Sequence, residues 1–141
     1  MLAFIKNIIF SIRIFHILSF LGLTLSFYAI YVRNKSIEVK GYKPLCDINK
    51  NISCTKAFKS KYYEIFGIPN TVLGIFYYAI AFLMSNRYPH YLFFISLPVL
   101  LFTFYLGFIS YFKQKNFCLV CNAIYIINIL LTISTYMLEV R

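Results

Sequence analysis

Phe117-Cys118-Leu119-Val120-Cys121 opens the last long apolar segment of the chain, with two cysteines separated by two residues. The run that follows, Leu119 to Leu138, is long enough to cross a bilayer, which takes about 20 apolar residues in a helix. Both sulfurs then sit on the first turn of a membrane helix. There, unpaired backbone N–H groups and the helix dipole favour a thiolate over a thiol. This is a redox-active placement at a membrane surface.

Working outward, the 141 residues are 61% hydrophobic and 13% charged, against roughly 25% charged in a soluble domain. The chain reads as one integral membrane domain, residues 1–141. Its formal charge of +10 raises a nucleic-acid partner, but the basic residues form no long run and sit on no soluble module. Contact of loops with anionic lipid head groups accounts for them, and no nucleic-acid binding is expected. Four cysteines allow three pairings. Small secreted domains use such bridges to replace a missing core, whereas here the bilayer supplies the burial, so the cysteines read as working thiols.

The first apolar stretch runs from about Ile9 to Val32, and no small-residue cleavage site follows it before Arg33. Arg13 and His16 lie in its first third; snorkelling and a bond to a neighbouring helix account for them. From Arg33 to Ile68 the composition turns polar, in a large loop carrying Cys46 and Cys54. Asp47, Asn49, Asn51 and Ser53 are turn-formers that fold this loop back on itself. Ser53 to Tyr63 predicts a short surface helix with Ala57 and Phe58 on its apolar side. Pro69-Asn70-Thr71 reads as a helix start with proline at the first helical position. Further spans are expected at about 69–84, 91–112, where Pro98 is tolerated, and 118–138. The expected fold is all-α, a four-transmembrane-helix bundle with the large loop 33–68 between its first and second helices. Four crossings bring Cys46, Cys54, Cys118 and Cys121 to one membrane face.

The side of that face is contested within the sequence. Most of the 14 Lys/Arg lie in the 33–68 loop and the Lys113–Asn116 turn, which by the positive-inside rule makes the cysteine face cytoplasmic. Thiol–disulfide chemistry points to the opposite side, because a cytosolic glutathione pool holds such thiols reduced. The chemistry is given precedence, and a periplasmic or lumenal face is expected.

C-x-x-C spacing also serves zinc, but Cys46 and Cys54 lack a usual ligand spacing and neither histidine lies on their side; no metal is expected. An inert loop disulfide is a second alternative. The favoured reading is a relay, in which an outer pair passes electrons to an inner pair fixed at a helix end. The inner pair then discharges two electrons, and the mouth of an aromatic-rich bundle suits a lipid-soluble quinone. Tyr125 lies one turn beyond Cys121 on the same face, and Asn70 starts the second span; either could donate to a quinone oxygen, or bond a neighbouring helix.

Cys46-Asp47, Ile52-Ser53-Cys54, Phe58, Ser60, Asn70 with Gly74, and Cys118-x-x-Cys121-x-x-x-Tyr125 together resemble the vitamin K epoxide reductase family. The likeness covers nearly the whole chain. It implies a four-helix bundle around a quinone (ubiquinone, menaquinone or vitamin K), with Cys46 and Cys54 as electron shuttle and Cys118–Cys121 as active site. It further implies that Cys121 faces the quinone, Cys118 exchanges with Cys54, Asn70 and Tyr125 bond the quinone oxygens, Ser60 steadies the loop helix and Phe58 lines the pocket. The seven residues between the loop cysteines resemble the animal branch. The chain has no room for the thioredoxin-like domain fused to many bacterial members, so a separate thioredoxin-fold partner is expected, in a bacterial inner membrane or the endoplasmic reticulum. The segment between Ser60 and Asn70 is shorter than the animal segment that caps the pocket.

Two other functions share features with this sequence. The bacterial disulfide-bond B type also has four spans and two cysteine pairs, but places its C-x-x-C first. A small four-span transporter needs an intramembrane carboxylate for coupling, and Glu38, Asp47, Glu64 and Glu139 all lie in loops or at the end.

Overall fold

The computed structural model describes all residues except 46, 50, 51, 59, 60, 62, 63, 66, 86, 114, 116, 117 and 141. The protein is an all-α membrane protein, with helices α1 (Leu2–Glu38), α2 (Cys54–Phe58), α3 (Asn70–Met84), α4 (Pro89–Phe108) and α5 (Leu119–Val140). A π-helical turn, Ile109–Lys113, prolongs α4. A two-residue hairpin, β1 (Glu64–Ile65) and β2 (Ile68–Pro69), leads into α3.

Among the described residues three helices are long and apolar enough to cross a membrane: Leu2–Glu38, Pro89–Lys113 and Leu119–Glu139. The expected second span falls on α3, which is apolar but has 15 residues, about 22 Å at the helical rise and less than a hydrocarbon core of about 30 Å. At the other extreme α1 has 37 residues and runs past Val32, where the hydropathy drops, to Glu38. Nothing in Arg33–Glu38 breaks a helix, and Ser36 is still buried against the neighbours. Hydropathy marks the depth of the membrane; the helix stops only where Gly41 and Pro44 follow.

Buried positions on α1 recur every three or four residues: Phe15, Ser19, Gly22, Ser26, Ala29, Val32 and Ser36. Small residues along one face allow close helix approach where hydrophobic exclusion from water is absent. A Cβ on Gly22 would lie 2.6 Å from the Tyr78 ring, and one on Gly74 would lie 3.2 Å from Ser26 Oγ. With Ser85 Oγ 2.9 Å from His16 Nε2, these contacts run in opposite sequence order, so α1 and α3 are antiparallel. The α4–α5 pair is antiparallel too, joined by a His90–Glu139 hydrogen bond at one end and a Tyr111–Asn122 hydrogen bond at the other. In addition α1 lies against α5, whereas α3 and α4 meet only along a short seam.

The polar connection is tied down locally. Ile48 and Asn49 N–H groups donate to the Ile52 carbonyl, so the chain reverses between Asp47 and Ser53 as expected; of the expected turn-formers, Asn51 lies outside the described residues. The short helix begins one residue later than the expected start at Ser53 and is described as far as Phe58, which is buried. Gly67, at φ +79°, supplies the left-handed conformation of the hairpin turn. Pro69 caps α3 instead of opening it, because its extended ψ of 139° pairs it with Glu64 in the hairpin. Arg33 pairs with Glu64 and fastens the end of α1 to β1.

Candidate active site

Cys54 stands at the start of α2, fully buried and disulfide-bonded. Its position follows from a local hydrogen-bond set. Ser53 Oγ accepts the Lys56 N–H at 3.1 Å, as a helix N-cap does. The Asp47 carboxylate accepts the Ser53 hydroxyl at 3.0 Å, the Thr55 N–H at 3.1 Å and the Thr55 hydroxyl at 2.7 Å. Partial burial pushes the Asp47 carboxyl up, but these donors outweigh it and hold the group below the ordinary carboxylate range. Cys46 lies outside the described residues, as does Ser60.

Cys118 directly precedes α5 and is fully buried. Its sulfur is 3.5 Å from Cys54 Sγ. The Cys121 N–H donates to Cys118 Sγ at 3.3 Å, so the sulfur occupies the place of an N-cap acceptor three residues ahead of its donor. Cys118 and Cys121 are both free thiols. They face different surroundings: Cys118 packs with Cys54, Phe58, Ala29, Val32 and Val120, whereas Cys121 lines a cavity of about 340 Å³.

That cavity lies between α1, α3, α4 and α5 under the loop helix, with Ala57 and Phe58 forming one wall. Pro98, Val99, Phe102, Leu106 and Ile109 make most of the α4 side. Asn70 enters from the first residue of α3 and Tyr125 from one turn below Cys121. Phe58, Asn70, Cys121 and Tyr125 therefore line one space, and Cys118 and Cys54 meet just outside it. The polar groups suit an acceptor with hydrogen-bonding oxygens, and the apolar walls suit a lipid-soluble ring.

Sequence reading missed the far wall. The Tyr78 hydroxyl donates to Asn128 Oδ1, and Asn128 Nδ2 donates to Thr103 Oγ1 at 2.9 Å; all three residues are buried and line the cavity. Asn128 was readable, since it stands seven residues after Cys121 and three after Tyr125 on one helix face. Its partners on α3 and α4 carried no signal, because only the packing of three helices brings them together.

A sequence model of the vitamin K epoxide reductase family matches residues 13–136. The vitamin K epoxide reductase complex subunit 1 of Rattus norvegicus is 31% identical, over 76% of this chain and 77% of its own length. The protein of the same name from Mus musculus is 29% identical over 82% of each chain. With the two sulfurs of Cys54 and Cys118 in contact and Cys121 on a membrane-helix cavity, the chain belongs to the vitamin K epoxide reductase family and is a membrane oxidoreductase of that type.

Proposed function

We propose that the protein is a quinone-dependent thiol–disulfide oxidoreductase that carries electrons from a separate thioredoxin-fold protein through Cys46 and Cys54 to Cys118 and Cys121, and so supports disulfide formation. The carrying observation is the 3.5 Å approach of Cys118 Sγ to Cys54 Sγ while Cys121 lines the cavity. In the relay, the Cys54 thiolate attacks Cys118 of the Cys118–Cys121 disulfide, and Cys121 leaves as a thiolate. Cys46 then attacks Cys54, which forms the loop disulfide and releases Cys118.

A quinone in the cavity takes up the two electrons and two protons released when Cys118 and Cys121 close their disulfide again. Asn70 and Tyr125 orient its oxygens, Cys121 presents the attacking sulfur, and the Phe58 and Phe102 side shields the site from water. The bundle crosses the membrane four times in this reading, α3 being completed by the hairpin ahead of it, with the cysteines on the periplasmic or lumenal face.

The test is anaerobic quinol formation by protein reconstituted in lipid vesicles, driven either by a reduced thioredoxin-fold protein or by a small dithiol. One quinol is expected for every two thiols oxidised. Cys121→Ala abolishes the reaction with both donors, and Cys54→Ala abolishes it with the protein donor alone. Absence of quinol with either donor would remove the proposal. The rat and mouse relatives are vitamin K epoxide reductase subunits, which favours a vitamin K quinone or epoxide as acceptor. Adding the epoxide to the same assay, with loss of water as the oxygen leaves, separates the two acceptors.

A further inference from the structure

The first turn of α5 has to satisfy two opposed demands in this relay. The Cys118 sulfur must move between Cys54 and Cys121, yet its Cα must stay where both are reachable. Each time the sulfur joins a disulfide it gives up the Cys121 N–H that it caps at 3.3 Å. A helix start that loses its cap tends to fray, and fraying would carry Cys118 away from Cys54.

A second set of bonds holds this turn independently of the sulfur. The Cys118 carbonyl accepts the Asn122 backbone N–H at 2.9 Å, the first helical bond of α5, and also Asn122 Nδ2 at 2.7 Å. A carbonyl only accepts, so the Asn122 amide must turn its nitrogen toward Cys118 and its oxygen away. That oxygen receives the Tyr111 hydroxyl from the π-helical turn at the end of α4. Single π-helical turns recur at functional sites, and this one aims Tyr111 across to the start of α5.

We infer that Asn122, oriented by Tyr111, is a positioning residue that keeps the Cys118 backbone fixed while its sulfur exchanges between Cys54 and Cys121. The inference rests on the relay proposed above and adds the element that makes side-chain rotation of Cys118 sufficient for it. In the exchange that tests it, the Cys118 thiolate attacks Cys54, the Cys54–Cys118 bond forms, the Cys46–Cys54 bond breaks, and Cys46 leaves as a thiolate that takes up a proton. No outside oxidant is needed.

The experiment uses full-length protein in vesicles in a Cys121→Ala background, where the two disulfides Cys46–Cys54 and Cys54–Cys118 interconvert. Their ratio is read by mass spectrometry after acid quench and alkylation. Asn122→Asp keeps the shape and the bond from Tyr111 but cannot donate to the Cys118 carbonyl. It should shift the ratio away from Cys54–Cys118 by about three- to tenfold, the worth of one hydrogen bond. Tyr111→Phe, on an exposed ring, should shift it in the same direction by less. Leu131→Ala, in the core several turns away, should lower Tm and leave the ratio alone, which separates positioning from general stability. An unchanged ratio in both Asn122→Asp and Tyr111→Phe overturns the role. Absence of any Cys54–Cys118 disulfide with Asn122 intact overturns the relay itself, and the role with it.

Discussion

Gly22 of α1 lies so close beneath the Tyr78 ring of α3 that a Cβ would stand 2.6 Å from two of its carbons. The ring has nowhere to go: it is 1% exposed, and its hydroxyl is engaged by Asn128. Gly22→Ala is therefore expected to destabilise the protein by about 1–3 kcal/mol, the usual cost of overpacking. A fall in Tm in detergent, absent when Tyr78→Leu relieves the clash, checks it; additive effects of the two substitutions would show that they do not meet.

The Asp47 carboxyl is held below its ordinary range because the Thr55 and Ser53 donors outweigh its partial burial. A folded-state pKa below the unfolded one adds stability that is present above the unfolded value, about 3.9, and is lost as pH falls through the folded value. The loop helix should thus be intact at neutral pH and loosen only in acid. Amide exchange at Thr55 is the measurement: protection falls on acidification in the native chain, while Asp47→Asn shows weaker protection already at neutral pH and little further change. Equal acid sensitivity in both proteins would assign the loosening to another group.

Tyr125 lines the cavity one turn below Cys121, where its hydroxyl can donate to an acceptor oxygen as negative charge develops. Tyr125→Phe should keep Tm within a degree or two and slow quinol formation by about 30- to 900-fold, since a preorganised donor contributes about 2–4 kcal/mol. Unchanged kinetics would return the residue to packing.

How much of this was legible before folding depends on whether a feature is local. Cys118, Cys121 and Tyr125 lie on one helix, so their spacing alone puts them on adjoining turns at its membrane-surface end. Asn70 follows a proline that marks a helix start, and Asp47 and Ser53 are turn residues read as such. The helix α1 extends beyond the apolar stretch at both ends, because hydropathy reports the stretch suited to lipid and not where a helix starts or stops. Tyr78, Thr103 and Asn128, and the Tyr111–Asn122 clasp, were missed because each joins residues from different helices, and the π-helical turn that aims Tyr111 has no sequence period of its own. Which thiol of the pair faces the cavity was open on spacing alone; only the family resemblance assigned Cys121 to it.

That last point yields the sharpest expectation, because the two thiols have different neighbours. Cys118 Sγ lies 3.5 Å from Cys54 and outside the cavity wall, whereas Cys121 lines the cavity. In Cys121→Ala, Cys118 has lost its pair and should be found in a disulfide with Cys54, detected as a peptide linked across the loop and α5. In Cys118→Ala, Cys121 remains a free thiol facing the cavity. It should be alkylated by a small apolar maleimide and protected by a quinone occupying the same space, while no disulfide to Cys54 forms. A Cys54–Cys121 disulfide in Cys118→Ala, or quinone protection of Cys118 in Cys121→Ala, would mean that the two thiols exchange places during turnover, and that the division of roles within the pair is wrong even though the family assignment stands.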